Sequence, residues 1–161
     1  MGDIIQKEVV VILLHYDYSY YLLQLRDFIP TIESPGQWGG FGGSVDKGET
    51  TVSAAYRELA EEISYTPESI NKFRTYSTER LLSHLFYCEL TVPFSKLILS
   101  EGADMGIFSK HDIFKGQLYS QKLKNLYPVA PLMIEYCKDF IDYVATTSIS
   151  MNKARSTYVN D

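Results

Sequence analysis

An α/β (α+β) fold, a mixed β-sheet sandwiched between helices, is predicted by three features of the sequence. Two strand-like runs, Glu8–Tyr16 and Tyr20–Arg26, follow each other closely. A helical apolar period occupies the middle of the chain, with Val52, Ala55, Leu59 and Ile63 as its stripe. A second period, carried by Val129, Met133, Tyr136, Cys137, Phe140 and Val144, places a late helix over 128–144.

The first run is rich in β-branched residues and reads as a buried strand; Asp17, Tyr18 and Ser19 between it and the second make the pair a hairpin. Pro30, Pro35 and Gly36 mark 27–37 as a surface loop, and a short strand, 38–41, leads out of it. Phe41 lies among Gly39, Gly40, Gly42 and Gly43, and these glycines point to a tight turn that lets backbone approach a phosphate or metal closely. Lys47-Gly48 turns the chain, Thr50 or Thr51 caps the helix that follows, and Ser64 with Pro67 ends it. Strands are expected at 71–78 and 85–92, the second closed by Pro93, with a short edge strand at 97–99. Ser109 and Asp112 resemble a capping box for a short helix over 110–115, stopped by Gly116. Pro128 and Pro131 suit the first turn of the late helix. After Thr146 the apolar pattern stops, so the expected organisation is one domain over 1–146 and a flexible tail over 147–161.

Composition narrows the function. The 161 residues are 45% hydrophobic and 22% charged, which suits one globular core. A net charge of −5 speaks against general binding of nucleic acid or of an anionic membrane surface, though not against one small phosphate whose charge metals neutralise. No apolar run reaches membrane-spanning length, and Asp3 and Glu8 flanking a short apolar run do not read as a signal peptide. Cys88 and Cys137 lack metal-site spacing and read as reduced core thiols, which sets a cytoplasmic expectation.

Glu58, Glu61 and Glu62 stand three and four positions apart, so a helix gathers them on one face. Unpaired, three clustered carboxylates repel and raise one another's pKa. A divalent cation with oxygen ligands offsets this, and Mg2+ in particular suits carboxylates combined with substrate phosphates. With Gly43, Glu49 and Arg57 these glutamates form a spaced pattern from Gly43 to Tyr65. The pattern resembles the Nudix box: glycine, five residues, glutamate, seven residues, Arg-Glu, an apolar residue, any residue, Glu-Glu, any residue, glycine and an apolar residue. One position departs from it, Ser64 in place of the second glycine. Six fixed positions matching by chance at roughly 6% each give a likelihood on the order of one in 100,000.

The resemblance implies a Nudix-type α/β/α sandwich, with the box as loop–helix–loop. It also implies divalent-metal-dependent hydrolysis of a phosphoanhydride bond by a MutT-like enzyme using Mg2+, with Mn2+ as an alternative. Carried over by position, Glu58 and Glu62 become the principal metal ligands and Glu61 a ligand or general base. Arg57 becomes the residue that orients a box glutamate, and the Gly43 backbone carbonyl a further metal contact. Glu49 supports the loop or assists the metal. Glu101, before Gly102, matches a loop glutamate that in many relatives is a ligand or base near the metals.

Substrate contacts are expected from Arg26 at a strand end; from Trp38 and Phe41, as stacking surfaces or core; and from Tyr18 with Tyr20 and Tyr21, as a base pocket or a homodimer surface. The leading substrate is a nucleoside diphosphate linked to another moiety. A nucleoside triphosphate is the first alternative, and a non-catalytic nucleotide-binding regulatory domain is the alternative of another class. His15 and His84 belong to no metal constellation and read as structural.

Overall fold

The computed structural model describes residues 6–158; Asp3 and the end of the expected tail, 159–161, lie outside the described residues. Strand β1 (Lys7–Tyr16) turns into β2 (Tyr20–Leu25) as an antiparallel hairpin. Asp17 and Tyr18 both take positive φ at its tip, matching the right-handed twist of the strands. Two short strands, β3 (Trp38–Gly39) and β4 (Phe41–Ser44), follow, and then helix α1 (Thr51–Ile63). β5 (Asn71–Ser77) and β6 (Leu81–Glu89) form a second antiparallel pair, and β6 runs parallel to β1. The order β3-β2-β1-β6-β5, with β4 also on β1 and β7 (Asp104–Ser109) also on β2, makes a mixed seven-stranded sheet. Helix α2 (Lys110–Phe114), the hairpin β8 (Gln117–Ser120) and β9 (Asn125–Pro128), and helix α3 (Pro131–Tyr158) complete the chain.

Alternation along β1 divides the core. Val10, Ile12 and Leu14 pack with Ala55, Leu59 and Ile63 of α1. Leu13 packs on the opposite face with Met133, Cys137 and Phe140 of α3. The result is the predicted sandwich, with a helix on each face of a mixed sheet. Ala54 rather than Val52 supplies the first buried turn of α1; Val52 is exposed.

Several elements differ from their sequence expectation. No strand forms at 97–99; a 3-10 turn at Phe94–Lys96 is followed by irregular chain. Ile98 N–H donates to the Ile63 carbonyl and Ser100 N–H to the Glu62 carbonyl, so this segment satisfies the last carbonyls of α1 instead of a strand edge. A bulge between Lys72 and Arg74 interrupts the alternation of β5: Phe73 joins the α3-side core, and its neighbour Arg74 pairs with Asp139 of α3. α3 continues to Tyr158, past Val144, so residues 147–158 of the expected tail are helical. His15 and His84 are both buried, His15 stacked on Tyr18 and His84 between Glu8 and Lys72.

The substituted position of the box closes α1. Thr50 caps the start, its hydroxyl accepting from Ser53 N–H. Ser64 takes the left-handed conformation (φ 54°, ψ 39°), its N–H donates to the Ala60 carbonyl, and Tyr65 N–H donates to the Leu59 carbonyl. A residue with a Cβ is strained there, and glycine is not. Ser64→Gly is therefore expected to stabilise the fold by about 1 kcal/mol, seen as a higher thermal midpoint with unchanged far-UV spectrum. A lower midpoint would mean that the serine side chain contributes a contact worth more than the strain.

Candidate active site

The site is built where β4 runs into α1. β4 pairs with β1, Val10 opposite Gly43 and Val11 opposite Gly42. Gly42 has φ 146°, and any Cβ there would overlap the Val10 carbonyl. A Cβ on Gly43 would stand 2.6 Å from Cδ and 2.8 Å from Oε2 of Glu58. The two glycines thus have separate reasons: Gly42 lets two strands meet, and Gly43 makes room for a carboxylate.

Arg57 is the hub of the acid cluster. Its Nε and Nη2 donate to the two oxygens of Glu49 at 2.8 and 3.0 Å, Nη1 donates to Glu58 Oε1 at 2.8 Å and to Glu61 Oε2 at 3.3 Å, and Nη2 also donates to the Ser44 carbonyl at 2.9 Å. Asp46 stands 3.7 Å away, a partner the sequence pattern does not single out. The hydrogen bonds to Glu49 hold the guanidinium pKa above its ordinary value, and Arg57 in return lowers that of Glu49. Fork-on-fork geometry of this kind fixes orientation as well as charge.

Glu62 is the most buried of the acids, at 3% exposure. Its Oε2 accepts from Gly42 N–H at 3.0 Å. Burial pushes its pKa up to about 8; the Gly42 hydrogen bond and Arg26 act against that shift, while Glu58 and Glu101 add to it. Burial also raises Glu58, opposed by its bond to Arg57. Glu61 is exposed.

A cavity of about 590 Å3 opens beside these groups, lined by Glu58, Glu61, Glu62, Glu101, Arg26 and the Gly42–Ser44 backbone, with Ile29 and Ile32 across from them. Glu101 reaches it because Ser100 and Ile98 are tied to the end of α1 and Gly102 N–H donates to Asp27 Oδ2 at 3.2 Å. A smaller cavity, about 210 Å3, lies between the sheet and the start of α3, and the two share Arg26, Gly42, Gly43 and Ser44 as a common wall. Arg26 Nε donates to the Glu33 carbonyl at 2.7 Å.

Of the sequence candidates, Glu58, Glu61, Glu62, Glu101, Gly43 and Arg26 converge on the larger cavity. Four do not. Glu49 is outside its wall, both oxygens being engaged by Arg57 and one of them also by Asp46 N–H. Trp38 and Phe41 are fully buried, one in each core cluster, and Trp38 Nε1 donates to the Leu118 carbonyl, so neither ring has a free face for stacking. Tyr18 is at the far tip of the β1–β2 hairpin, about 20 Å of strand beyond Val10, and Tyr21 beside it is core. Aromatic residues near a box look alike in sequence whether they face a ligand or the core; sheet alternation decides. Sequence reasoning missed Gln24, which lines the cavity and donates from Nε2 to the Gly40 carbonyl at 3.0 Å, and Ile29 and Ile32; none carries a distinctive spacing.

In the present rotamers no three His, Cys, Asp or Glu side chains among the described residues stand close enough to ligate one ion. The donor chemistry nonetheless fits a hard cation. Glu58 Oε2 and Glu62 Oε1 have no hydrogen-bond partner among the described residues, and burial raises the pKa of both carboxyls.

Fold and site together define a domain that carries its acidic groups on a loop–helix–loop beside β4 of a mixed sheet. The chain belongs to the Nudix family: residues 5–126 match the family model of the NUDIX domain. Among solved structures it is similar to the NUDIX domain of Shewanella oneidensis NrtR complexed with ADP ribose, with a TM-score of 0.65 at 17% identity over 87% of this chain and 89% of that one. It is also similar to a MutT NUDIX hydrolase from Burkholderia pseudomallei, with a TM-score of 0.65 at 16% identity over 84% and 98%. At these identities the likeness is one of fold. A local match to the oxidized purine nucleoside triphosphate hydrolase of Danio rerio reaches 51% identity over 37 residues, 23% of this chain and 24% of that protein. The mouse (Mus musculus) counterpart gives 43% over 44 residues, 27% and 28%. These matches span only about a quarter of the length of the curated relatives. No helix among the described residues is long and apolar enough to cross a membrane.

Proposed function

We propose that the protein is a divalent-metal-dependent pyrophosphohydrolase acting on a phosphoanhydride bond in a nucleoside diphosphate linked to another moiety. The observation that carries this reading is the pair of cavities meeting at Arg26 and the Gly42–Ser44 backbone. The anhydride lies at the shared wall, one organic group fills the smaller cavity, and the second rests against Ile29 and Ile32 in the larger. A nucleoside triphosphate is the second reading, favoured by the local likeness to the oxidized purine nucleoside triphosphate hydrolases. The buried, unpaired thiols of Cys88 and Cys137 accord with a cytoplasmic setting.

Glu58 and Glu62, with the Gly43 carbonyl and Glu61, would hold Mg2+ or Mn2+. The ion would neutralise the anhydride oxygens and lower the pKa of water. Arg57 holds Glu58 and Glu61 from the side away from substrate, which leaves their outer oxygens for the cation. Arg26 has its Nη groups free among the described residues and lines both cavities, where its charge would meet a phosphate. Glu101, across the cavity from α1 and unpaired among the described residues, is the general base that takes the proton of attacking water.

Two experiments test this. Purified protein with Mg2+ or Mn2+ is assayed against nucleotide sugars, dinucleotides, triphosphates and capped RNA, with products identified by mass; cleavage within the diphosphate is expected. No turnover on any anhydride, together with an unchanged metal response in Glu62→Gln, overturns the enzyme reading in favour of a binding domain. Glu101→Gln is expected to lower kcat by about 100-fold while KM and thermal midpoint stay near wild type. Turnover within a factor of three of wild type removes Glu101 from the role of base.

A further inference from the structure

The smaller cavity is apolar on its two broad sides, with Val9 and Val11 from β1 on one and Met133 from α3 on the other. Gly40 packs closely against both sides; a Cβ there would stand 3.1 Å from Val11 Cγ1 and 3.4 Å from Met133 Sδ. Into this slot the fold places two buried hydroxyls. Ser83, on β6, is fully buried, and Tyr136, one turn into α3, is 4% exposed. The Tyr136 hydroxyl donates to Ser83 Oγ at 3.2 Å.

That single bond leaves the Ser83 O–H without an acceptor and the Tyr136 oxygen without a donor among the described residues. One donor and one acceptor therefore stand side by side in two residues that line the cavity, about the spacing of two polar atoms on the edge of a heteroaromatic ring. A buried hydroxyl without its full complement is costly, and a ligand that completes it gains specificity. We propose that Ser83 and Tyr136 are a specificity-determining pair that reads the donor–acceptor edge of a nucleobase lying against Val9 and Val11. This rests on the reading above, in which the phosphates lie at the adjoining carboxylates. It excludes a sugar or an alkyl chain as the group in this cavity, since a sugar does not match the apolar broad sides and an alkyl chain leaves both hydroxyls unpaired.

The test is binding without turnover. AMP and GMP, with ribose 5-phosphate as a probe lacking the base, are titrated into metal-free protein and followed by amide chemical shifts. AMP or GMP is expected to move the amides of Val11, Gly40, Ser83 and Met133, whereas ribose 5-phosphate moves only those around Gly42–Ser44. Ser83→Ala and Tyr136→Phe are each expected to weaken the nucleotide about tenfold and to leave ribose 5-phosphate unchanged. Equal affinity for nucleotide and ribose 5-phosphate, no nucleotide shifts in the slot at saturation, or wild-type nucleotide affinity in either folded variant overturns the proposal. Turnover with Mg2+ on the same preparations separates the two readings. Nucleotide binding by the pair without hydrolysis fails the enzyme reading alone, and hydrolysis without involvement of the pair fails this one alone.

Discussion

Glu62→Gln is expected to abolish metal-dependent turnover, by at least about 100-fold, while leaving the fold intact. Loss of an outer partner of a metal ligand alone costs 10- to 100-fold, so loss of a principal ligand's charge costs no less. Glutamine retains the oxygen that accepts from Gly42 N–H and fits the same buried volume, so the α1–β4 contact is expected to survive. The same variant separates charge from shape through pH. In the metal-free protein the Glu62 carboxyl titrates at about 8, above the ordinary 4.5, chiefly because it is buried. The folded state therefore keeps a proton that the unfolded chain has lost. This stability is complete below pH 4.5, falls as pH rises, and is gone above about pH 8. The loss amounts to at most about 5 kcal/mol at 1.36 kcal/mol per pKa unit. Denaturant unfolding between pH 4.5 and 8.5 in chelator is expected to show this decline in wild type and a flatter profile in Glu62→Gln. Adding Mg2+ at pH 8 restores stability to wild type and much less to the variant. Parallel profiles for the two proteins would mean that Glu62 is not the group responsible.

Gly43→Ala is expected to damage the site without unfolding the protein. The new methyl group would stand 2.6 Å from the Glu58 carboxyl carbon, closer than atoms can remain, and that side chain must swing away. Its 2.8 Å bond to Arg57 is then broken or remade elsewhere. Gly43 has no positive φ, so alanine is compatible with its backbone. The expected result is a 10- to 100-fold fall in kcat/KM, with a stability loss below about 2 kcal/mol. Gly42→Ala is the contrasting control. There the Cβ meets the Val10 carbonyl across the strand pair, and φ is 146°, so loss of the folded state is expected instead. Both variants folded and fully active would refute the division of labour between the two glycines. Circular dichroism and steady-state kinetics on the pair suffice to decide.

Much of the site was legible because its chemistry is local. The helical spacing of Glu58, Glu61 and Glu62, the reach of Arg57 to Glu61, and the Thr50 cap are all properties of one helix and the turn before it. Glu101 was legible only as a loop glutamate; what brings it to the cavity is the pairing of Ile98 and Ser100 with carbonyls at the end of α1, a contact between segments far apart in sequence. The aromatic candidates failed for a related reason. Trp38 and Phe41 flank the glycines as a stacking residue would, yet each is fully buried, because neighbouring sheet positions are covered by α3 on one face and α1 on the other. β7, β8 and β9 were invisible to periodicity. β7 contains Asp104 and Gly106, poor strand formers, and is a strand because β2 offers it an edge. The late helix was found, but its end was not, since backbone can stay helical after the apolar stripe has run out.

By itself the sequence determined the sandwich of sheet and helices, the family through its box, and the acidic cluster with Arg57 beside it. These depend on period, propensity and spacing within single elements. Only the tertiary structure decided which glycine serves the sheet and which serves a carboxylate, that Glu49 belongs to Arg57 and not to the cavity, and that Ser83 and Tyr136, 53 positions apart, share one slot. Those facts depend on strand register and on how α1 and α3 lie across the sheet. Register shifts by one residue exchange its two faces, and no short window of sequence records that choice.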